Sequence, residues 1–272
     1  MESTRSELES KEALNSLMLG ICGQLVHQPG IYKVAPCLKT IRDSSGLVCA
    51  AVMTPPHGII LYSHQGDFEL GAIQLVKELL QEGWNLPGAL GPVGTASVLA
   101  HAWSQVTGGR IEIQRRSKLF ELRKVMTPLA ETGTLQPATT TDHELITRWW
   151  YRFKVEIHGE ADIEEVRDTA HLHIYSGDIY LWSQNSRFVS MAMKTRPTRN
   201  GISVSLVYTP PEERRQGYAR ACVSELSRVL LDHGRKFCTL FADTTNIHAI
   251  NLYKRIGYIP ICNYNEYKFI ER

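Results

Sequence analysis

One short stretch of this chain forces a strand to end and a helix to begin. Residues 206–220 read LVYTPPEERRQGYAR. Proline has no amide N–H to donate, so a strand that enters this stretch ends at Pro210 and Pro211. The amphipathic pattern that follows predicts a helix from Gly217 to His233. The first amides of a helix have no partner within it and lie at its positive end, so the sequence predicts an anion-binding turn at 214–220.

The residue types in this turn suit a large anion. Gly217 lets a bulky group approach the backbone, and Ala219 keeps the next turn of the chain thin. Arg215 and Arg220 add positive charge at the same place, which suits a pyrophosphate. The stretch contains neither G-x-x-x-x-G-K-[ST] nor G-x-G-x-x-G, so it is not a P-loop or a dinucleotide-binding fingerprint.

Composition places the chain among globular proteins. Its 272 residues allow one large domain or two ordinary ones, and 43% hydrophobic residues suffice for a buried core. A formal net charge of +2 does not indicate a nucleic-acid partner, and the basic run from Gln114 to Lys118 is interpreted as a solvated strand edge. The cysteines form no C-x-x-C pair and are interpreted as reduced. With a polar amino terminus and no long apolar run, the chain is expected to be cytoplasmic, without membrane contact.

Hydrophobic periodicity predicts alternating helices and strands, as in α/β proteins. An opening helix is expected over Ser6 to Leu25, followed by a strand hairpin that ends in VMTPP at 52–56. In the second half, three strand-like runs precede the helix described above. A strand FCTLFAD, a helix from His248 to Ile256 and two closing strands, YIPICNY and EYKFIER, are expected after it.

The chain also shows signs of an internal duplication. Residues 126–141 are rich in Thr, Pro and Gly, so we expect two domains, at 1–130 and 131–272. In each, a strand ending in Thr-Pro-Pro precedes an amphipathic helix, a short segment and a second helix that ends at Gly108 or Gly257. Two unrelated alternations of helices and strands remain the alternative to a duplication.

A second motif, near the carboxyl terminus, indicates a family. Its pattern is Asn-x(n)-Tyr-x(3)-Gly-Phe/Tyr, at Asn246, Tyr253, Gly257 and Tyr258. Together with Arg214, Gly217 and Ala219, which fit Arg/Gln-x-x-Gly-x-Gly/Ala, it resembles the GCN5-related N-acetyltransferase (GNAT) superfamily over residues 135–272. The resemblance implies the GNAT (acyl-CoA N-acyltransferase) fold, an α/β (α+β) fold with a mixed sheet, in two tandem halves. The first half is similar to the degenerate half of tandem bacterial members.

The resemblance implies a binding site for acetyl-CoA. The pantetheine arm is expected on the amide of Asn246 and on the end of the preceding strand, and the diphosphate on the turn. The strand residues are Val207, Tyr208 and Thr209, and the turn residues are Arg214, Arg215, Gln216, Gly217, Tyr218, Ala219 and Arg220. Tyr253 is expected beside the thioester sulfur, where a phenol can protonate the departing thiolate.

The group that takes the proton of the acceptor amine is expected on the other side of the cleft. Glu156 lies at the end of a helix, where acceptor-side residues gather in this superfamily, and is the predicted general base. His171 and His173 could line the same cleft. A histidine pair without a third ligand favours ordinary histidines over a metal site, so no metal is expected.

The sequence therefore predicts an N-acetyltransferase that moves an acetyl group from acetyl-CoA to a primary amine by direct attack in a ternary complex. Two alternatives stay open: an acyl-CoA-binding sensor or partner protein without catalysis, and a glycine N-acyltransferase-like enzyme that uses other acyl donors. The first half lacks the arginine–glycine spacing and has Trp103 close to where the second half has Tyr253. It is expected to form one wall of the acceptor cleft without binding coenzyme A, in a monomer or a homodimer.

Overall fold

Helices and strands alternate along the chain, as the hydrophobic pattern predicts. The protein is described by a computed structural model at residues 2–28, 30, 32, 34–44, 46–63, 68–126, 128 and 132–271, without the side chains of residues 2 and 3. The helices are α1 Glu2–Glu9, α2 Ser16–His27, α3 Glu69–Gln81, α4 Val93–Thr107, α5 His143–His158, α6 Ile163–Tyr175, α7 Tyr218–Asp232 and α8 Ile247–Ile256. The strands are β1 Cys37–Asp43, β2 Gly46–Met53, β3 Ile59–Ser63, β4 Gly88–Pro92, β5 Arg110–Leu122, β6 Thr134–Pro137, β7 Ile179–Gln184, β8 Arg187–Thr195, β9 Gly201–Tyr208, β10 Phe237–Asp243 and β11 Ile259–Ile270. Short 3-10 helices cover Thr140–Asp142 and Pro211–Glu213.

These strands form one mixed sheet, which confirms the predicted fold class. Their order across the sheet is β1-β2-β3-β4-β11-β5-β10-β9-β8-β7-β6. In the first half, α3 and α4 pack on one face of the sheet and α2 packs on the other. In the second half, α7 and α8 cover one face while α5 and α6 cover the other. Each half is therefore a three-layer unit with a buried core on both faces of its strands.

The last strand of each half lies among the strands of the other. β5 pairs antiparallel with β10 on one side and with β11 on the other, and β11 also pairs with β4. The two halves therefore share a continuous sheet. The predicted domain boundary, between residues 130 and 131, falls outside the described residues. β5, the strand that precedes this boundary in the chain, lies between two strands of the second half.

The position of β5 bears on the interpretation of the basic run Gln114–Lys118. β11 pairs along the length of β5, but β10 pairs with it only from Ser117 to Leu122. Residues 114–116 therefore have a paired strand on one side only, and Gln114 and Arg116 are exposed, as expected for a solvated strand edge. The prediction was wrong for Ser117 and Lys118, which lie between two strands, because pairing between distant strands leaves no local trace in the sequence.

The Thr-Pro-Pro repeat does not mark equivalent positions, contrary to expectation. Pro55 and Pro56 follow β2, and β3 comes between them and α3. Pro210 and Pro211 follow β9, which is the last strand before α7. The equivalent parallel pairs are β3 with β4 and β9 with β10. The order of elements is thus repeated in the two halves, while the Thr-Pro-Pro resemblance is not part of the repeat.

Two predictions at the ends of the chain were also wrong. The single helix expected over Ser6 to Leu25 is two helices, and in the turn between them the Asn15 side chain donates to the Leu8 carbonyl at 2.8 Å. The closing pair of strands is one strand of 12 residues. It stays continuous because β5 pairs along its length, with an irregularity between Pro260 and Cys262.

A buried carboxylate ties the amino-terminal helices to the second half. Glu12 accepts hydrogen bonds from Thr198 Oγ1 at 2.6 Å, from the Asn200 backbone N–H at 2.6 Å and from Asn200 Nδ2 at 2.7 Å. Burial alone would raise the pKa of this carboxyl, but the hydrogen bonds outweigh it and lower the pKa below its ordinary 4.5. The charged form of Glu12 therefore holds the turn between β8 and β9.

Replacement of this carboxylate should destabilise the fold in a pH-dependent way. We expect Glu12→Gln to lower the free energy of unfolding by about 2 kcal/mol at about pH 7, because an amide nitrogen would face hydrogen-bond donors. The folded pKa is the lower one, so the stabilisation is full above the unfolded value and is lost as the pH falls through the folded value. Urea unfolding should show the difference from wild type shrinking towards about pH 3. An equal difference at both pH values would contradict this role.

Candidate active site

Two parallel strands in the second half diverge and open a cleft in the sheet. β9 and β10 pair from Gly201–Phe237 to Ser203–Thr239, after which their ladder ends. Beyond that point β9 stays paired with β8 as far as Tyr208, and β10 stays paired with β5. Each strand therefore follows its outer neighbour, and the gap between them widens towards their carboxyl ends.

A bulge in β9 lies at the edge of this opening. Leu206 and Val207 both face the single residue Ala192 of β8, and Leu206 has a φ of 49°. A leucine in the left-handed region is strained, and such strain is held in place only by surrounding structure. The bulge turns the Leu206 side chain towards α5 and that of Val207 towards α7. The main chain of the predicted pantetheine residue Val207 thus leaves the regular ladder at the cleft.

Tyr208, the last residue of β9, and Thr209, which follows it, are held in place by contacts within the protein. The Tyr208 ring is buried against Trp149 and Phe153 of α5, at centroid distances of 6.2 and 6.5 Å. Burial, followed by the charge of Glu156, raises the pKa of Tyr208. The Thr209 hydroxyl lies 2.9 Å from the Ser190 hydroxyl. The strand end is therefore rigid where it meets the turn.

The turn before α7 has the backbone of an anion-binding site. Arg215 has a φ of 65° and Gly217 a φ of 87°. Alternating conformations of this kind point successive N–H groups to one side. The first helical bond runs from the Ala221 N–H to the Gly217 carbonyl at 3.0 Å, so the amides of 218–220 precede the helical ladder. A Cβ built on Gly217 would meet only Arg220 Nη2, at 3.9 Å, so the space beside the Gly217 Cα is open.

The side chains of this turn are exposed or half-buried. Arg215, Gln216 and Arg220 are exposed, whereas Tyr218 and Ala219 are half-buried at the start of α7. The Tyr218 hydroxyl donates to Gln216 Oε1 at 3.0 Å. The structure thus brings the predicted turn residues together around one open space.

Arg214 and Glu156, which were predicted for different tasks, are bonded to each other. Arg214 Nη2 donates to both carboxylate oxygens of Glu156 at 2.8 Å, and its Nε donates to the Thr209 carbonyl at 2.9 Å. The side chains are 43% and 45% exposed. The pair joins the carboxyl end of α5 to the start of the turn, so Glu156 is not a free carboxylate in the cleft.

Tyr253 borders the opening from the side of α7 and α8. It is 7% exposed and belongs to the same buried cluster as Val204 and Leu240, the first residues beyond the last β9–β10 pair. Burial raises the pKa of its phenol to about 12, so the group keeps its proton at neutral pH. Its Oη has no hydrogen-bond partner among the residues that the structure describes.

The structure gives Asn246 a capping contact. Its side-chain oxygen accepts the Ala249 N–H at 3.0 Å at the start of α8, and the residue is exposed. The Asn246 oxygen is therefore engaged in helix capping, and only the Nδ2 amide is left for the predicted contact with the pantetheine arm.

The remaining candidate side chains of α5 and α6 have structural contacts. His173 Nδ1 lies 2.9 Å from Asp178, and the His171 ring packs edge-on against His143. Trp149 and Trp150 are buried in the core between α5 and the sheet. Within the described part of the chain, no group of three or more His, Cys, Asp or Glu could hold a metal ion.

Sequence reasoning missed a group of polar residues on the other side of the opening. Arg115 of β5 reaches His158 at the end of α5, and Glu266 of β11 lies beside it. Phe241 of β10 and Tyr264 of β11 form an edge-to-face pair at 5.0 Å next to this group. The sequence contained Arg115 in its basic run, but the place of β5 in the sheet was needed to find the group.

Comparison with solved structures identifies the class of fold. Similar structures include a GCN5-related N-acetyltransferase from Kribbella flavida, with 14% identity, a TM-score of 0.60 and coverage of 94% of this chain and 95% of that one. A Drosophila protein has 15% identity and a TM-score of 0.65 over 97% and 96% of the two chains. A GCN5-related N-acetyltransferase from Sphaerobacter thermophilus has 16% identity and a TM-score of 0.58 over 86% and 80%. At such identities the likeness shows the fold alone, which is the GNAT fold.

A sequence comparison identifies one domain within the second half. The model of the acetyltransferase (GNAT) family matches residues 143–258, from the start of α5 to two residues beyond the end of α8. Residues 143–258 therefore form a GNAT-family acetyltransferase domain, as the motifs predict. No curated protein sequence matches the chain. Among the described residues, no helix is both long and apolar enough to cross a bilayer.

Proposed function

We propose that this protein transfers the acetyl group of acetyl-CoA to a primary amine by direct attack in a ternary complex. The divergence of β9 from β10, directly beside the turn with left-handed residues Arg215 and Gly217, carries the proposal. An opening in a sheet next to unpaired amides suits a ligand with an extended arm and a diphosphate. The family match to residues 143–258 supports the same conclusion.

The residues present fit acetyl-CoA. The amides of 215–220 and the side chains of Arg215 and Arg220 would bind the diphosphate, because the space in front of Gly217 is open. The main chain at Val207 would bind the pantetheine arm, since the bulge frees it from the ladder. Acetyl-CoA, when bound, supplies the thioester that the amine attacks.

Tyr253 has the properties of the acid that this chemistry needs. Its phenol is protonated at neutral pH, and its Oη is free of partners in the described structure. We assign to it the proton that the sulfur gains when the C–S bond breaks and the new C–N bond forms. The nitrogen gives up one proton to solvent in the same turnover, and the phenolate regains one from solvent, so the protons balance. A positioned acid of this kind contributes about 100-fold or more to a rate.

We expect Tyr253→Phe to lower kcat about 100-fold and to leave the affinity for acetyl-CoA nearly unchanged. The variant removes one hydroxyl and keeps the ring that packs against Phe120. Thiol release from acetyl-CoA in the presence of amines measures kcat, and calorimetry measures the affinity. A protein that binds acetyl-CoA but releases no thiol with any amine would be the non-catalytic sensor instead. Thiol release from longer acyl donors tests the glycine N-acyltransferase-like alternative.

A neighbouring tyrosine provides the matched control. The Tyr258 ring lies 6.0 Å from that of Tyr253, but its hydroxyl bonds to Ser227 at 2.8 Å. Tyr258→Phe should therefore lower stability by about 1 kcal/mol and leave kcat unchanged. Equal losses of kcat in the two variants would show that packing, and not the Tyr253 hydroxyl, matters.

We propose that Glu156 positions the turn through Arg214 and does not act as the general base. A partly exposed ion pair contributes at most about 1 kcal/mol, so Glu156→Gln should raise KM for acetyl-CoA about three- to fivefold and leave kcat within about twofold. A general base would instead contribute about 100-fold to kcat. Steady-state kinetics of this variant and of the double variant with Arg214→Gln test the assignment, since the double variant should match either single one. A large fall in kcat with unchanged KM would restore the catalytic role.

A further inference from the structure

Arg115, His158 and Glu266 lie where an acceptor would enter the cleft. β9 and β10 diverge towards their carboxyl ends, and the other neighbour of β10 at that end is β5, with Ser117 opposite Asp243. Arg115 lies two residues beyond Ser117, roughly 7 Å further along the strand. It is therefore contributed by the first half of the chain to the mouth of the cleft in the second half.

Three elements bring their side chains together at this point. Arg115 Nη2 lies 3.1 Å from His158 Nδ1, at the carboxyl end of α5. Arg115 Nε lies 3.8 Å from Glu266 Oε2, on β11. The Arg115 and Glu266 side chains are 31% and 37% exposed, so both can be reached from solvent. We call Arg115, His158 and Glu266 the β5 cluster.

At neutral pH the β5 cluster offers hydrogen-bond donors from Arg115 and His158 beside one acceptor, the Glu266 carboxylate. Partial burial, followed by the charge of Arg115, lowers the pKa of His158, so its imidazole is neutral at neutral pH. Its Nδ1 then accepts from Arg115, which leaves the proton on Nε2 as a further donor. The 3.8 Å separation of Arg115 from Glu266 exceeds hydrogen-bond distance, so this ion pair is loose and a ligand can replace it.

A ligand with a carboxylate and an amine on neighbouring atoms complements such a cluster. The planar guanidinium of Arg115 matches a carboxylate with two parallel bonds, and the His158 Nε2–H can add a third. Glu266 can accept from the amine. Because Glu266 stands next to Arg115, a singly charged carboxylate suits the cluster better than a doubly charged phosphate. Phe241, which packs edge-on against Tyr264, belongs to β10, the strand between β5 and the opening, and offers an apolar surface there.

We infer that the acceptor is an amine that also carries a carboxylate, as an amino acid does, and that Arg115 is the residue that selects the carboxylate. The inference rests on the proposed transfer of an acetyl group to an amine. It gives the first half of the chain a direct part in choosing the acceptor.

Matched acceptors test the inference. Thiol release from acetyl-CoA would be measured with a panel of amino acids and with their primary amides. The amine of an amino-acid amide is less basic than that of the acid, so more of it is unprotonated and able to attack near neutral pH. A preference for the acids must therefore come from the protein. We expect kcat/KM to favour the best acid over its amide by about 30-fold, and Arg115→Gln to abolish that preference.

Arg116→Gln is the matched control, because consecutive residues of a strand face opposite sides of the sheet and Arg116 is exposed. It should keep the preference, and Arg115→Lys, which retains the charge without the fork, should keep part of it. Thiol release with no preference for acids, or a preference that survives Arg115→Gln, would overturn the inference and leave the proposed function intact. Absence of thiol release with every amine, together with absence of acetyl-CoA binding, would overturn both.

Discussion

Residues 131–272 expressed alone should not form a stable domain. Without residues 1–130, β10 loses its partner β5, and β11 loses both of its partners, β5 and β4. The deletion also removes Leu119, Phe120 and Leu122, whose side chains are buried and together contribute about 5–9 kcal/mol. Since whole domains are stable by about 5–15 kcal/mol, we expect loss of cooperative unfolding. Circular dichroism during heating measures this.

A slightly longer chain separates the role of β5 from that of the rest of the first half. A chain of residues 109–272 restores β5 between β10 and β11, so it should regain a cooperative transition, at a lower temperature than the full protein. If residues 131–272 alone unfold cooperatively and bind acetyl-CoA, β5 is not required for folding. Residues 131–272 would then be an independent domain, as the sequence predicts.

Gly217→Val should weaken acetyl-CoA binding by about 100-fold or more. The glycine has a φ of 87°, which a β-branched residue adopts only with strain, so the turn would rearrange. The new side chain would also occupy the open space beside the Gly217 Cα, where the diphosphate is proposed to bind. Calorimetric titration of the variant with acetyl-CoA measures the loss.

Gly234 at the other end of α7 offers the control for this variant. It has a φ of 92°, and a Cβ built on it meets nothing within 4 Å. Gly234→Val should therefore cost about 1–2 kcal/mol of stability through the same kind of strain, while acetyl-CoA binds as in wild type. If both variants lose affinity to the same degree, the effect is one of stability and the turn is not the binding site.

The sequence carried enough local information for the turn and for the helices around it. Two prolines end β9, and a glycine with φ above zero follows, so each step from Pro210 to Gly217 is dictated by backbone chemistry. The motif around Tyr253 was found for the same reason, because its spacing lies within a single helix and its cap. These features depend on residues close together in the chain.

The contacts that depend on distant residues could not be predicted. The residues of β5 do not predict that this strand pairs with β10 and β11. The position of Arg115 at the cleft could therefore not be predicted from the sequence. The bond from Arg214 to Glu156 joins residues 58 positions apart. The bulge at Leu206 has no glycine or proline that would predict it from the sequence. It arises from the pairing of β9 with β8.

We propose that the cleft between β9 and β10, with the turn that follows, binds acetyl-CoA. Titration of acetyl-CoA into the intact protein in a calorimeter tests it most directly. We expect saturable binding of one equivalent per chain, weakened about 100-fold or more by Gly217→Val and preserved in Gly234→Val. Absence of binding to the intact, folded wild-type protein would contradict it.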